Sequence, residues 1–263
     1  MTLVSIISPV LNGERYIGAC IRNVAEQAVP DLEHIVVDGG STDETRAIVC
    51  QLQRQNSSLT LISGPDRGQS DALNKGILRA RSDIIGILNC DDFYEEGAIR
   101  EAVDILWNSE RPTLVVGNCR ILDQYGLTID WNRPRDLRLE SLLLGWNLCP
   151  FPCNPSAYFY HKSAHEVIGY YDVTDHFTMD FGFILACVEN INVRYVNRHW
   201  GNFRFQPGTK TFDDRETAER QRVLINRYVG ALSLSRRLKM KRRLAEKAAR
   251  GFAYRQLQRI GLR

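Results

Sequence analysis

The strongest constraint lies in the first hundred residues, where short, β-branched apolar runs closed by turn residues alternate with stretches of helical spacing. The runs at 3–8, 34–38, 59–63 and 84–88 read as strands. Residues 14–27, 43–54 and 69–80 between them read as helices, and Ser41 with Glu44 sets a capping-box pattern ahead of the second. Strands joined through helices must lie mostly parallel, which predicts an α/β chain whose central sheet is covered by helices on both faces. In open sheets of this kind ligands collect at the carboxyl ends of the strands, so the residues that follow each strand are the candidates for function.

A further helix over 96–107 buries Ile99, Ala102, Val103 and Leu106, and 113–117 forms a fifth strand. Beyond Asn118 the pattern loosens around Trp131, Trp146 and a proline-rich loop at 149–155 placed near a binding cleft. Strands near 156–160 and 193–198 flank a helix starting close to Asp180, and from 213 the chain reads as helix, broken near Gly230. The expected division is a sheet domain over 1–212 and a helical tail over 213–263.

With 44% hydrophobic and 25% charged residues, the 263-residue chain can bury a core, which excludes a disordered or collagen-like protein. It lacks an 18-residue apolar run and a signal-like start, and its seven scattered cysteines suit reduced thiols, so a cytosolic protein is expected. Cys149 and Cys153 have no second ligand pair and read as ordinary buried thiols. The net charge of +3 conceals a segregation: residues 227–263 hold twelve Lys or Arg against Glu246 alone. The tail is therefore about +11 and the body about −8.

Strand one runs into Ser8-Pro9-Val10-Leu11-Asn12-Gly13, a loop leading to a helix. Strand two ends in Asp38-Gly39-Gly40, which sets a carboxylate in the cleft with little steric cover. Asp43 and Glu44 already occupy the positive end of the next helix, so Asp38 suits a base or sugar hydroxyl better than it suits a phosphate neighbour. After strand four, Asp91 and Asp92 are adjacent acids that repel one another, an arrangement explained by a divalent cation bridging to a substrate phosphate.

These segments resemble the family 2 glycosyltransferases of the GT-A fold, a Rossmann-like sheet architecture. The resemblance is carried by residues 5–13, by Val36-Val37-Asp38-Gly39-Gly40-Ser41-Thr42-Asp43, by Asp66-Arg67-Gly68 with Ala72-Leu73-Asn74-Lys75-Gly76, and by Ile87-Leu88-Asn89-Cys90-Asp91-Asp92. It is close over residues 1–100, looser to about 211 and absent beyond. It implies inverting transfer of a sugar from a nucleotide-diphosphate sugar to a glycan or lipid-linked acceptor, assisted by Mg2+ or Mn2+. By motif position, Asp38 contacts the nucleobase, Pro9 and Asn12 belong to the nucleotide-binding set, Asp91 lies near the ribose, Arg67 near the diphosphate, and Asp92 binds the metal. Thr178-Met179-Asp180 resembles the motif that supplies the general base, which makes Asp180 the catalytic residue, although Met179 stands where an acid is usual. Residues 203–211 resemble a loop near the diphosphate, with Gln206 where a His is common, and Leu11 replaces a common aromatic.

The chemistry requires that much: a cation stabilises the leaving diphosphate, and a separate carboxylate takes the proton of the attacking hydroxyl. A sugar nucleotidyltransferase or a catalytically silent nucleotide-sugar binding module are the alternatives. A receiver-like domain phosphorylated on Asp38 lacks the further acids and the lysine it would need. His161 and His165 stand four apart without a third ligand, and Trp131 and Trp146 suit either sugar stacking or packing. The tail's leucines among lysines and arginines make an imperfect basic amphipathic helix, expected either at the inner, cytosolic face of an anionic membrane or packed on the acidic body. No nucleic-acid recognition motif accompanies it, so nucleic acid is not an expected partner.

Overall fold

A computed structural model describes residues 3–207 and 214–259. The elements run β1 (Val4–Val10), α1 (Ile17–Glu26), β2 (Leu32–Asp38), α2 (Thr45–Gln53), β3 (Leu59–Ser63), α3 (Gln69–Arg79), β4 (Ile84–Ile87), β5 (Phe93–Tyr94) and α4 (Ala98–Trp107). They continue through β6 (Thr113–Leu122), β7 (Thr128–Asn132), α5 (Leu139–Leu142), a single 3-10 turn at Pro155–Ala157, β8 (Tyr158–His161), α6 (Ala164–Ile168), α7 (Met179–Asn190) and β9 (Asn192–Arg204). Two long helices, α8 (Asp214–Ala231) and α9 (Leu234–Arg259), complete it.

The strands form one sheet in the order β3-β2-β1-β4-β8-β6-β9-β5, with β7 paired to β6. β3, β2, β1 and β4 are mutually parallel, as the alternation predicts, because each returns through a helix. Antiparallel β8 then splits β4 from β6, and β6 pairs in parallel with β9. β1 and β4 are buried along their whole length, which explains their continuous apolar runs. Gly76 of α3 makes this close packing possible, since a side chain there would collide with Ile7 of β1.

Several sequence expectations shift. β1 runs on to Val10, so Pro9 lies buried within a strand rather than in a loop. The strand tolerates it because pairing with β4 covers only Ser5 to Ile7, and β1 has β2 alone as its ladder neighbour at Pro9. The capping box does not form: Ser41 Oγ instead accepts the Asn12 N–H at 2.8 Å, and Asp43 caps Thr45. β6 and β9 extend well past the predicted strands, and the short β5 and β7 add edges to them, because ladder pairing sustains runs whose composition is polar. The tail breaks at 232–233 rather than Gly230, where the Arg237 guanidinium takes up the carbonyls of Leu232 and Gly230. Cys149 is buried as expected, whereas Cys153 is only half-buried. His161 and His165 sit on different elements, the first accepting from the Thr113 N–H and the second bonded to the Tyr160 hydroxyl.

Candidate active site

Four candidate segments meet at the carboxyl ends of the parallel strands. The turns after β1 and β2 are laced together: Asn12, in the left-handed region at φ 51°, accepts the Thr42 N–H, while Glu14 and Asp43 each accept a backbone N–H from the other's turn. Gly40, at φ 95°, supplies the reversal that brings the Ser41 N–H back onto Asp38.

Asp38 is fully buried, so the expectation of an open carboxylate is corrected. The room left by Gly39 is filled by Asp66, whose carboxylate occupies the place a side chain at 39 would need. Burial pushes the Asp38 carboxyl up, but donors outweigh it: the Ser41 N–H at 3.0 Å and the Ser63 hydroxyl at 2.7 Å hold it below the usual carboxylate range. Leu11 stands exposed at the edge of the same turn.

The end of β4 has the opposite character. Asp92 is 3% exposed and accepts three hydrogen bonds, from Asn154 Nδ2 at 2.7 Å, the Arg204 N–H at 3.0 Å and Asn89 Nδ2 at 3.2 Å. Even so, burial and the neighbouring charge of Asp91 push it up to about 8. Burial also raises half-buried Asp91, against which the Arg204 charge acts. Protein donors meet both oxygens of Asp92, while half-buried Asp91 is the more exposed carboxylate of the pair. Asn154 and the backbone at Arg204 come from distant segments and were missed, because a single Asn before a proline gives no sequence signal.

Two bridges join this pair to Asp180. Asn89 accepts from Gln69, the first residue of α3, and the next residue, Ser70, donates to the Asp175 carbonyl and to Met179 Sδ, at the start of α7. On the other side, Asn154 opens the 3-10 turn that leads into Tyr158, whose hydroxyl donates to Asp180 Oδ1 at 3.2 Å. Met179 thus serves as packing where an acid is usual. Asp175 is committed to the turn ahead of α7 through the Phe177 and Thr178 N–H groups, and Asp172 to its own turn at Thr174, which leaves Asp180 as the half-buried acid of this helix start. Arg67 is largely exposed and paired with Asp71, one residue before Gly68, against which His176 packs. Gln206 donates to the Tyr16 hydroxyl, tying the end of β9 to the turn after β1. Residues 208–211 of the expected diphosphate loop and the 212–213 domain boundary lie outside the described residues. Trp131 and Trp146 are each more than a third exposed, set edge-on against His199 and Phe151.

Residues 5–168 match the Glycosyl transferase family 2 family. A "PGL/p-HBAD biosynthesis glycosyltransferase" of Mycobacterium bovis is 30% identical over 197 residues, covering 73% of each chain. The chain is a family 2 glycosyltransferase. As a glycosyltransferase it shares its fold with S. aureus TarS 1-349 in complex with UDP-GlcNAc, at a TM-score of 0.66 and 16% identity over 95% of this chain and 73% of that one. A mannosyltransferase, PcManGT from Pyrobaculum calidifontis in complex with GDP-Man and Mn2+, superposes with a TM-score of 0.57 and 19% identity, covering 96% of this chain and 82% of the other. The glycosyltransferase therefore has the GT-A architecture expected from its first hundred residues, extended by two C-terminal helices. Among its described residues no helix is long and apolar enough to cross a membrane.

Proposed function

We propose that the enzyme transfers a sugar with inversion from a nucleotide-diphosphate sugar to a hydroxyl of a glycan or lipid-linked acceptor. The observation that carries this reading is the placement of a low-pKa acid, a high-pKa acidic pair and a separate half-buried acid around one set of strand ends. Asp38 is the acceptor for the nucleobase, with Pro9, near the end of β1, and Asn12, in the turn that follows, completing the nucleotide-binding set. Arg67, at the start of α3, faces the diphosphate.

The acidic pair fits a hard divalent cation, because half-buried Asp91 and buried Asp92, the latter pushed up by burial and by the charge of Asp91, offer adjacent carboxylate oxygens whose full ionisation a cation would favour. Asp91 would ligate Mg2+ or Mn2+ directly and Asp92 would support it from behind. When bound, the cation supplies stabilisation of negative charge on the departing diphosphate. Asp180 takes the proton from the acceptor hydroxyl at Oδ1 or Oδ2, and the Tyr158 hydroxyl fixes the orientation of its carboxylate. The two TarS and PcManGT complexes support the nucleotide-sugar reading, and the Mn2+ of the latter supports the cation.

The tail we assign to the surface of an anionic membrane at the cytosolic face, with 1–212 as the catalytic unit. Part of its charge is spent on the body, where Arg236 pairs with Glu140 and Glu189, and Arg243 and Lys247 approach Asp136. Leu232 and Met240 pack inward, but Leu234, Leu238 and Leu244 remain exposed among lysines and arginines, a face suited to anionic lipid. The function is tested by assaying purified enzyme with UDP- and GDP-sugars in Mn2+. Release of the nucleoside diphosphate supports it, and release of pyrophosphate from a nucleoside triphosphate would instead indicate a nucleotidyltransferase.

A further inference from the structure

A cavity of about 720 Å3 lies beside α7, bordered by the segment after α6 and by α8 and the start of α9. One stripe of α7 lines it, Met179, Gly182, Phe183, Ala186 and Glu189, at the three- and four-residue spacing of a helix face. The small residues Gly182 and Ala186 in the middle of that stripe leave the space open. Opposite stand Tyr170, half-exposed and stacked on His165 with ring planes 4° apart, and half-buried Tyr228 of α8. Asp172 and Arg227 add exposed charge.

This mixture selects among ligands. A sugar ring has an apolar C–H face and a rim of hydroxyls, which suit aromatic faces flanked by a carboxylate and a guanidinium. An alkyl chain alone would strip water from the exposed Arg227 guanidinium without giving it a partner. A polyanion would gain no net attraction, because Arg227 and Arg236 are matched there by Asp172, Asp175 and Glu189.

The cavity is also one layer of rings from Asp180. Tyr171 and Phe183 form its wall, their centroids 5.1 Å apart, and behind Phe183 stacks Tyr158, the residue bonded to Asp180. Met179, at the same end of the cavity, directly precedes Asp180 in the chain. We propose that this cavity is a subsite for a neutral oligosaccharide, holding the acceptor's sugar residues behind the one whose hydroxyl is attacked. Its catalytic meaning rests on the reading of Asp180 as base; sugar binding itself does not.

Saturation-transfer NMR on the full-length protein tests it, with cellobiose, maltose, lactose, N,N′-diacetylchitobiose and octyl glucoside as probes. At least one disaccharide is expected to bind through its ring protons. Tyr228→Ala and Tyr170→Ala should each weaken that binding by about tenfold, the loss of one stacked ring, while Tyr228→Phe retains it. Exposed Arg227→Ala gives a second measure should Tyr228→Ala lower the thermal midpoint. Absence of disaccharide binding up to roughly 10 mM overturns the proposal, as does binding that the four variants leave unchanged. Saturation confined to the octyl protons of octyl glucoside also overturns it, in favour of a lipid chain. Asp180→Asn should keep disaccharide binding whatever its turnover, so failure of the base assignment and failure of the subsite are separable.

Discussion

The ends of β2 and β4 flank the end of β1, and each carries a buried aspartate, yet the pKa values of the two are shifted in opposite directions. Asp38 meets donors contributed by its own turn and by the end of β3, and its pKa falls. Asp92 meets just as many donors, but its neighbour in the chain is another carboxylate, and its pKa rises to about 8. Burial pushes both up: at Asp38 the donors outweigh it, whereas at Asp92 the stronger desolvation, joined by the charge of Asp91, outweighs three donors. Asp38 is held ionised by its donors, whereas Asp92 is pushed toward its protonated form because a second full charge beside Asp91 is surplus until a cation offsets it.

The comparison breaks most severely if the acid outside both sites is dispensable. Asp180→Asn should bind donor almost normally and lose at least about 100-fold in turnover, as measured by nucleoside diphosphate release with acceptor present. Near-normal transfer would move the base elsewhere. Next in size is the pair itself: Asp91→Asn should cost about 100-fold in turnover and abolish the gain in nucleotide affinity on adding Mn2+, read by calorimetry. Asp92→Asn should weaken the metal effect less, and the reverse order would restore Asp92 as the direct ligand.

The two sites should also respond oppositely to pH. Asp92 has a native pKa above its unfolded value of about 4, so its contribution to stability is full below that pH and is lost as pH rises through about 8. Asp38 has a depressed pKa, so its contribution is present above about 4 and is lost on acidification. Thermal midpoints without divalent cation should therefore fall between pH 5 and 8 in wild type relative to Asp92→Asn, and Mn2+ should flatten the difference. An identical slope in the two proteins would contradict the surplus-charge account.

Asp38→Asn should produce a smaller change, about tenfold in donor affinity from one charge-assisted hydrogen bond, with Mn2+ dependence intact. The smallest effect concerns the tail. Full-length enzyme should float with anionic vesicles at low salt and be released as salt rises, while a chain ending at Asn226 should stay in solution. Equal flotation of both would assign the exposed leucines of α9 another partner.

What the sequence by itself determined is the parallel half of the sheet and the placing of its acids. Periodicity along β1 to β4 and α1 to α3 is local, and a carboxylate immediately after an apolar run must emerge at a strand end. Even the outlying Asp180 was legible, because it opens a helix. Tertiary structure alone decided which acids are charged and which are open. Asp38 is held low because the Ser63 hydroxyl, 25 residues away at the end of β3, joins the Ser41 N–H on its carboxylate. Asp92 is turned inward because Asn154 and the backbone of Arg204, 62 and 112 residues away, converge on it. The long runs of β6 and β9 were illegible for the same reason, since a polar strand is held by its ladder partner and carries no period of its own. Hydrogen bonds and charge repulsion act through space over a few ångströms, and no pattern along the chain records which distant groups will supply them.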